Sequence, residues 1–96
     1  MTVKVIGLIK LLDPAAFELY RSEVGATVEK HQGRILFRGS HLATFWNELS
    51  CGSFDACVEI EFPDAEHVSN WANGEDYQRL IAIRSKAMQL TLFSAG

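Results

Sequence analysis

The stretch Thr2-Val3-Lys4-Val5-Ile6-Gly7-Leu8-Ile9-Lys10-Leu11-Leu12 decides the architecture. Its apolar residues are rich in β-branched types and fall on both alternating faces, with Val3, Val5, Ile9 and Leu11 on one and Ile6, Leu8 and Leu12 on the other. A strand that is apolar on both faces must be covered on both sides. Lys4, Gly7 and Lys10 interrupt the run and Asp13-Pro14 follows it, which fits neither a signal-peptide core nor a membrane span.

Outward from this strand, Asp13 is placed to cap a helix, Pro14 suits its first position, and Leu12 and Phe17 have the spacing of a hydrophobic staple. Phe17, Tyr20, Val24, Thr27, Val28 and His31 recur at helical spacing until Gly33, which is expected to stop the helix. Gly25, in the interior, costs about 1 kcal/mol relative to Ala and points to close packing or a bend. Residues 34–49 read as one long strand containing Ile35, Leu36, Phe37, Leu42, Phe45 and Trp46, with Gly39 as a bulge and Ser50 to Ser53 as a turn. The cleanest strand follows, because Phe54, Ala56, Val58, Ile60 and Phe62 alternate with Asp55, Cys57, Glu59 and Glu61. Pro63-Asp64 ends it, and Asp64 caps a helical pattern of Val68, Trp71 and Ala72. Asn73-Gly74 should kink or break that pattern before it resumes with Tyr77, Leu80, Ile81, Arg84 and Ala87. Met88 to Phe93 closes the chain as a strand.

The order strand, helix, strand, strand, helix, strand predicts an α+β fold: a ferredoxin-like βαββαβ antiparallel sheet with both helices on one face. The helices cover one face only, and Leu36, Leu42 and Phe93 add to the apolar surplus on the other. The uncovered face is therefore expected to meet a second copy of itself as a homodimer, since an isologous contact is the simplest closed way to bury it.

The length of 96 residues at 10.7 kDa predicts a single domain over residues 1–96, too short for two independent cores. With 48% hydrophobic and 22% charged residues the chain is neither disordered nor low in complexity. Nine Lys and Arg against twelve Asp and Glu give a net charge of −3 with no basic stripe, so no nucleic-acid partner is expected. Cys51 and Cys57 read as two reduced thiols, and the chain as cytoplasmic.

Four stretches together resemble domain-of-unknown-function family 1330 of the dimeric α/β-barrel superfamily. They are Asp13-Pro14 with Tyr20; the run Gly33-Arg34-Ile35-Leu36-Phe37-Arg38-Gly39; the run Val58-Glu59-Ile60-Glu61-Phe62-Pro63-Asp64; and Trp71 with Tyr77, Gln78 and Arg84. The resemblance spans nearly the whole chain. It implies a ferredoxin-like protomer whose sheet pairs with that of a second subunit to form a barrel. It implies no particular activity, because related branches include cofactor-free monooxygenases, muconolactone-type isomerases and haem enzymes. The chain departs from the family pattern at Gln32-Gly33, where a Gly-Gly pair is usual, and at Ser40, where a second Gly is usual. Residues 43–53 match least, and the Phe45-Trp46 pair there is a feature of this member.

Several residues are candidates for chemistry. Glu59 and Glu61 share a strand face, and Arg38 on the preceding strand is placed to oppose one of them. The set is either an acid-base group, with Glu61 the catalytic candidate, or a structural ion pair. Trp71, Tyr77 and Arg84 either wall a pocket in which the guanidinium binds an anionic ligand, or anchor the core while Arg84 pairs with a carboxylate such as Glu61. His41, beside the expected Gly39 bulge, is a second catalytic candidate if it faces the barrel interior, and the one histidine able to serve as a haem ligand. His31, His41 and His67 have no metal-ligand spacing, no nucleophile elbow or phosphate-cradling loop is present, and no metal or cofactor is expected.

Two functional readings follow. In the first, the homodimer binds a small anionic or aromatic metabolite between helices and sheet, contacts it through Arg38, Trp71, Tyr77 and Arg84, and transforms it without a metal, as an isomerase or monooxygenase would. In the second, the dimer is a non-catalytic interaction or structural module and the polar residues serve the fold.

Overall fold

The computed structural model describes residues 2–96. Its elements in chain order are β1 (Val3–Leu11), α1 (Pro14–Lys30), β2 (Arg34–Ser40), β3 (Ala56–Phe62), α2 (Ala65–Asn73), α3 (Glu75–Gln78), α4 (Ile81–Ala87) and β4 (Met88–Ala95). The strands form one sheet in the order β2-β3-β1-β4, with every neighbouring pair antiparallel. This is the ferredoxin-like arrangement expected from the element order.

Local chemistry sets the helix ends. Asp13 accepts a hydrogen bond from the Ala16 amide at 3.1 Å and Pro14 occupies the first turn of α1. At the other end the Gly33 amide donates to the Val28 carbonyl at 3.0 Å and the Gln32 amide to that of Glu29 at 3.0 Å, the two bonds of a Schellman motif. The left-handed residue of that motif is Gln32, with φ of 66°, and not the expected Gly33. Gly33 is needed for a different reason: a Cβ there would lie 2.6 Å from the ring of Phe62, which is fully buried. Gly25 is not tightly packed, since among the described residues nothing lies within 4 Å of the position a Cβ would take.

One face of the sheet packs on the helices. Val5, Ile9, Ile60, Phe62 and Met88 meet Ala16, Tyr20, Val24 and Val28 of α1, with Trp71 and Tyr77 from the second helical segment. The i, i+4 spacing of the α1 residues puts them on one stripe. Trp71 is the largest fully buried side chain; its ring centroid lies 5.3 Å from Phe62 and 4.8 Å from Tyr77. The indole N–H donates to Thr27 Oγ1 at 3.0 Å, and that hydroxyl donates to the Val24 carbonyl at 2.7 Å, so the one polar group on this large ring is satisfied.

Among the described residues the opposite face bears no helix. Ile6, Leu8, Phe37 and Phe93 lie on it among Lys4, Lys10, Arg34, Glu59 and Glu61, as the registers Ile6↔Glu59, Ile6↔Phe93 and Phe37↔Glu59 require.

Three expectations for the strands change. The long strand over residues 34–49 ends at Ser40, and residues 41–55 form a loop, so β3 starts at Ala56 and not at Phe54. Leu42, expected on the open sheet face, belongs to that loop. The bulge lies at Leu36, between Ile35 and Phe37, and not at Gly39. The glycine instead makes room for the Phe37 ring, which would lie 2.5 Å from a Cβ on residue 39. A further break, at Arg79-Leu80, divides the last helical segment beyond the expected interruption at Asn73-Gly74.

Candidate functional site

The bulge at Leu36 positions the site. Without it, Arg38 would pair opposite Cys57 and point to the open face; with it, Arg38 pairs opposite Val58 and points to the helix side. Arg38 therefore opposes neither Glu59 nor Glu61, contrary to expectation. It lines a cavity of about 410 Å³ that lies between α1, the second helical segment and the sheet and opens to solvent.

The walls are mainly apolar, with Ile9, Phe17, Val24, Ile60, Met88 and Leu92 contributing, and polar groups occupy restricted positions. Arg38, Arg21, Ser40, Asp55, Tyr20 and Tyr77 bring polar or charged side chains to the lining. Arg21 is engaged with Glu18 at 3.2 Å and lies against the Phe17 ring. Asp55 accepts a hydrogen bond from the Leu11 amide at 2.7 Å. Among the described residues Arg38 has no carboxylate within ion-pair distance, which leaves a solvent-exposed, unpaired guanidinium at the cavity.

The two phenols form a polar relay. Tyr20 Oη and Tyr77 Oη are 2.9 Å apart, with the rings edge to face, and either oxygen is able to donate. Arg84 Nη1 donates to Tyr77 Oη at 3.0 Å. A guanidinium only donates, so Tyr77 accepts from Arg84; when Tyr77 in turn donates to Tyr20, the Tyr20 proton is free to turn toward the cavity. Burial, and next the neighbouring Tyr77, push the Tyr20 phenol well above its ordinary pKa, while the positive charges of Arg84 and Arg38 act in the opposite direction. At neutral pH Tyr20 is a hydrogen-bond donor and not a base.

The other anticipated residues are placed as follows. Trp71 is fully buried, part of the cavity wall and tied to Thr27. Arg84 is not among the cavity-lining residues; it is bound to the Tyr77 hydroxyl, lies over the Tyr77 ring and does not pair with Glu61. Glu61 lies on the open sheet face, where it accepts from Lys4 at 2.9 Å and from Arg34 at 3.0 Å. Those two hydrogen bonds, that from Lys4 first, hold its carboxyl below the usual range. His41 sits in the loop after β2 with Nε2 2.8 Å from Thr44 Oγ1 and its ring against Phe54, away from the cavity. Cys51 and Cys57 are both free thiols. Among the described residues no three His, Cys, Asp or Glu side chains are grouped closely enough to hold a metal ion. The same residues contain no helix long and apolar enough to cross a membrane.

Tyr20, Arg21, Ser40 and Asp55 did not stand out as site residues in the sequence. The available signal was Tyr20 itself, a phenol on the buried stripe of α1 whose hydroxyl needs a partner inside the fold.

A four-stranded antiparallel sheet with helices on one face and a cavity between the two defines a ferredoxin-like α+β protein. The model of the family called domain of unknown function (DUF1330) matches residues 3–95, and the chain belongs to that family. Among solved structures, it is similar to a protein of unknown function from Rhodopseudomonas palustris, with a TM-score of 0.78 at 15% identity over 98% of this chain and 80% of that one. It is also similar to a dimeric ferredoxin-like protein of unknown function from Jannaschia sp. CCS1, with a TM-score of 0.69 at 8% identity over 100% of this chain and 99% of that one. A third is SnoaB, a cofactor-independent oxygenase from Streptomyces nogalater, with a TM-score of 0.69 at 10% identity over 99% of this chain and 91% of that one. None of the curated proteins matches the chain. At these identities the likenesses show the fold alone.

Proposed function

We propose that this chain, as a single cytoplasmic domain over residues 1–96, works as a homodimer closed through its open sheet face. In this reading the homodimer binds a small aromatic anion in the cavity between helices and sheet. The observation that carries the reading is Arg38, a guanidinium with no carboxylate within ion-pair distance among the described residues, beside a mainly apolar cavity of about 410 Å³. A cavity of this size suits a small aromatic molecule, and a guanidinium recognises a carboxylate or enolate through paired hydrogen bonds. Trp71 and Tyr77 wall the cavity, and Arg84 holds Tyr77 in place.

The reaction such a site supports is metal-free and proceeds through an anionic intermediate, as in an isomerase or a cofactor-free oxygenase. Arg38 and the Tyr20 hydroxyl stabilise the negative charge that the ligand brings with it as that charge is redistributed during the reaction. Glu61 and His41 stand outside the cavity and take no part. The dimeric ferredoxin-like neighbours support the assembly, and the oxygenase neighbour supports the class of chemistry by analogy of fold.

Calorimetric titration with aromatic carboxylates and the corresponding uncharged amides tests this function. The acid is expected to bind about tenfold more tightly than its amide, the worth of a charge-assisted hydrogen bond. Arg38→Gln should erase that preference while leaving amide binding in place. Absence of binding by either series, in a chain that is dimeric, would favour the non-catalytic module, in which Tyr20, Tyr77, Trp71 and Arg84 serve packing alone.

A further inference from the structure

The loop between β2 and β3 concentrates more exposed apolar surface than any other part of the chain. Leu42 is 94% exposed, Phe45 81%, Trp46 82% and Leu49 89%. Aromatic side chains such as Phe45 and Trp46 carry on the order of 150–250 Å² each, and with the two leucines they offer several hundred Å². That approaches the roughly 800 Å² per partner of a stable interface and is at the limit of what a monomer leaves uncovered.

The exposure does not come from a lack of local structure. The neck of the loop is closed by the His41 amide donating to the Asp55 carbonyl at 2.9 Å, and by the His41 ring against Phe54. Its far end is clamped by Asn47, whose side chain donates to the Cys51 carbonyl at 2.7 Å and accepts from the Cys51 amide at 2.9 Å. Ser50 takes the left-handed conformation, φ 57°, that this turn requires. Phe45 and Trp46 lie against each other, ring centroids 6.3 Å apart. A loop organised in this way presents its aromatic pair in advance, so little ordering entropy is lost on docking.

The loop is also continuous with the open sheet face. Its returning segment, Cys51 to Phe54, borders a hollow of about 260 Å³ shared with Leu8, Lys10 and Thr91, and Lys10 Nζ donates to Ser53 Oγ at 3.1 Å. The arm thus starts at the edge strand β2 and returns beside the Leu8, Lys10 and Thr91 end of the open face.

We propose that residues 41–54 form an arm that docks on the open sheet face of a second copy of this chain, with Phe45 and Trp46 as its anchors. Two-fold symmetry makes the contact reciprocal, so each protomer gives an arm and receives one. Arg38 and Ser40 before the arm and Asp55 after it all line the cavity, so docking fixes both ends of that stretch of wall.

The inference rests on the homodimer reading, and its test separates the two. Sedimentation equilibrium is run on the wild type, on the exposed-loop variant F45S/W46S and on the open-face variant F93E. Both variants should dimerise about a hundredfold more weakly than the wild type, with far-ultraviolet circular dichroism unchanged. Loss of affinity in F93E with none in F45S/W46S overturns the arm while leaving the open-face dimer intact, and a monomeric wild type overturns both. Iodide quenching gives a second readout. Of the two tryptophans, Trp71 is only 1% exposed, so Trp46 reports access of the quencher. Trp46 should be shielded in the dimer and quenched on dilution to monomer; equal quenching in both states contradicts the proposal.

Discussion

At the scale of single residues, two glycines of the first βαβ unit behave in opposite ways. Gly33 faces the buried ring of Phe62, which has no room to retreat, whereas the Cβ position of Gly25 meets nothing within 4 Å. Gly25→Ala should raise the unfolding free energy by about 0.5–1 kcal/mol, through helix propensity and a less flexible unfolded chain. Gly33→Ala should lower it by about 1–3 kcal/mol, the cost of overpacking. Urea denaturation of both variants checks this, and a destabilised Gly25→Ala would mean that a second subunit packs against that helix. Both glycines were visible in the sequence, but their roles were not. Gly33 stands where a helix-stopping glycine belongs, and only its contact with a residue 29 positions later reveals why it must lack a side chain.

At the scale of elements, β1, β2 and β3 are tied on the open face by one carboxylate. Glu61 accepts from Lys4 of β1 and from Arg34 of β2, and those bonds depress its pKa. A group whose pKa is lower folded than unfolded contributes stability above its unfolded value, near 4.3 for Glu, and loses it as the pH falls through the depressed folded value. The difference in stability between wild type and Glu61→Gln is therefore expected to be full at neutral pH and to vanish on acidification through that range, read by denaturation over a pH series. A difference independent of pH would show that the carboxylate charge is not what joins the strands.

Elements were also what the sequence disclosed best. Period-two alternation revealed β3 and the two-sided character of β1, and Asp13-Pro14 and Asp64 marked two helix starts, because these are local signals. The end of β2 was hidden because Leu42, Phe45, Trp46 and Leu49 have the composition of a strand while lying exposed in a loop. The side of the sheet taken by Arg38 was hidden by the bulge at Leu36, which inverts every later residue of β2 and leaves no mark in composition. The cavity relay depends on Tyr20 and Tyr77 meeting across 57 positions of sequence, which no local pattern encodes.

At the scale of the molecule, one sheet face is covered by helices and the other carries partly exposed Ile6, Leu8, Phe37 and Phe93. The functional unit proposed is two chains, each supplying an Arg38-lined cavity. Native mass spectrometry of protein taken directly from cell extract tests that claim most directly. The account predicts a species of twice 10.7 kDa carrying a bound small molecule that is lost in Arg38→Gln. A bare single chain of 10.7 kDa in the wild type would contradict it.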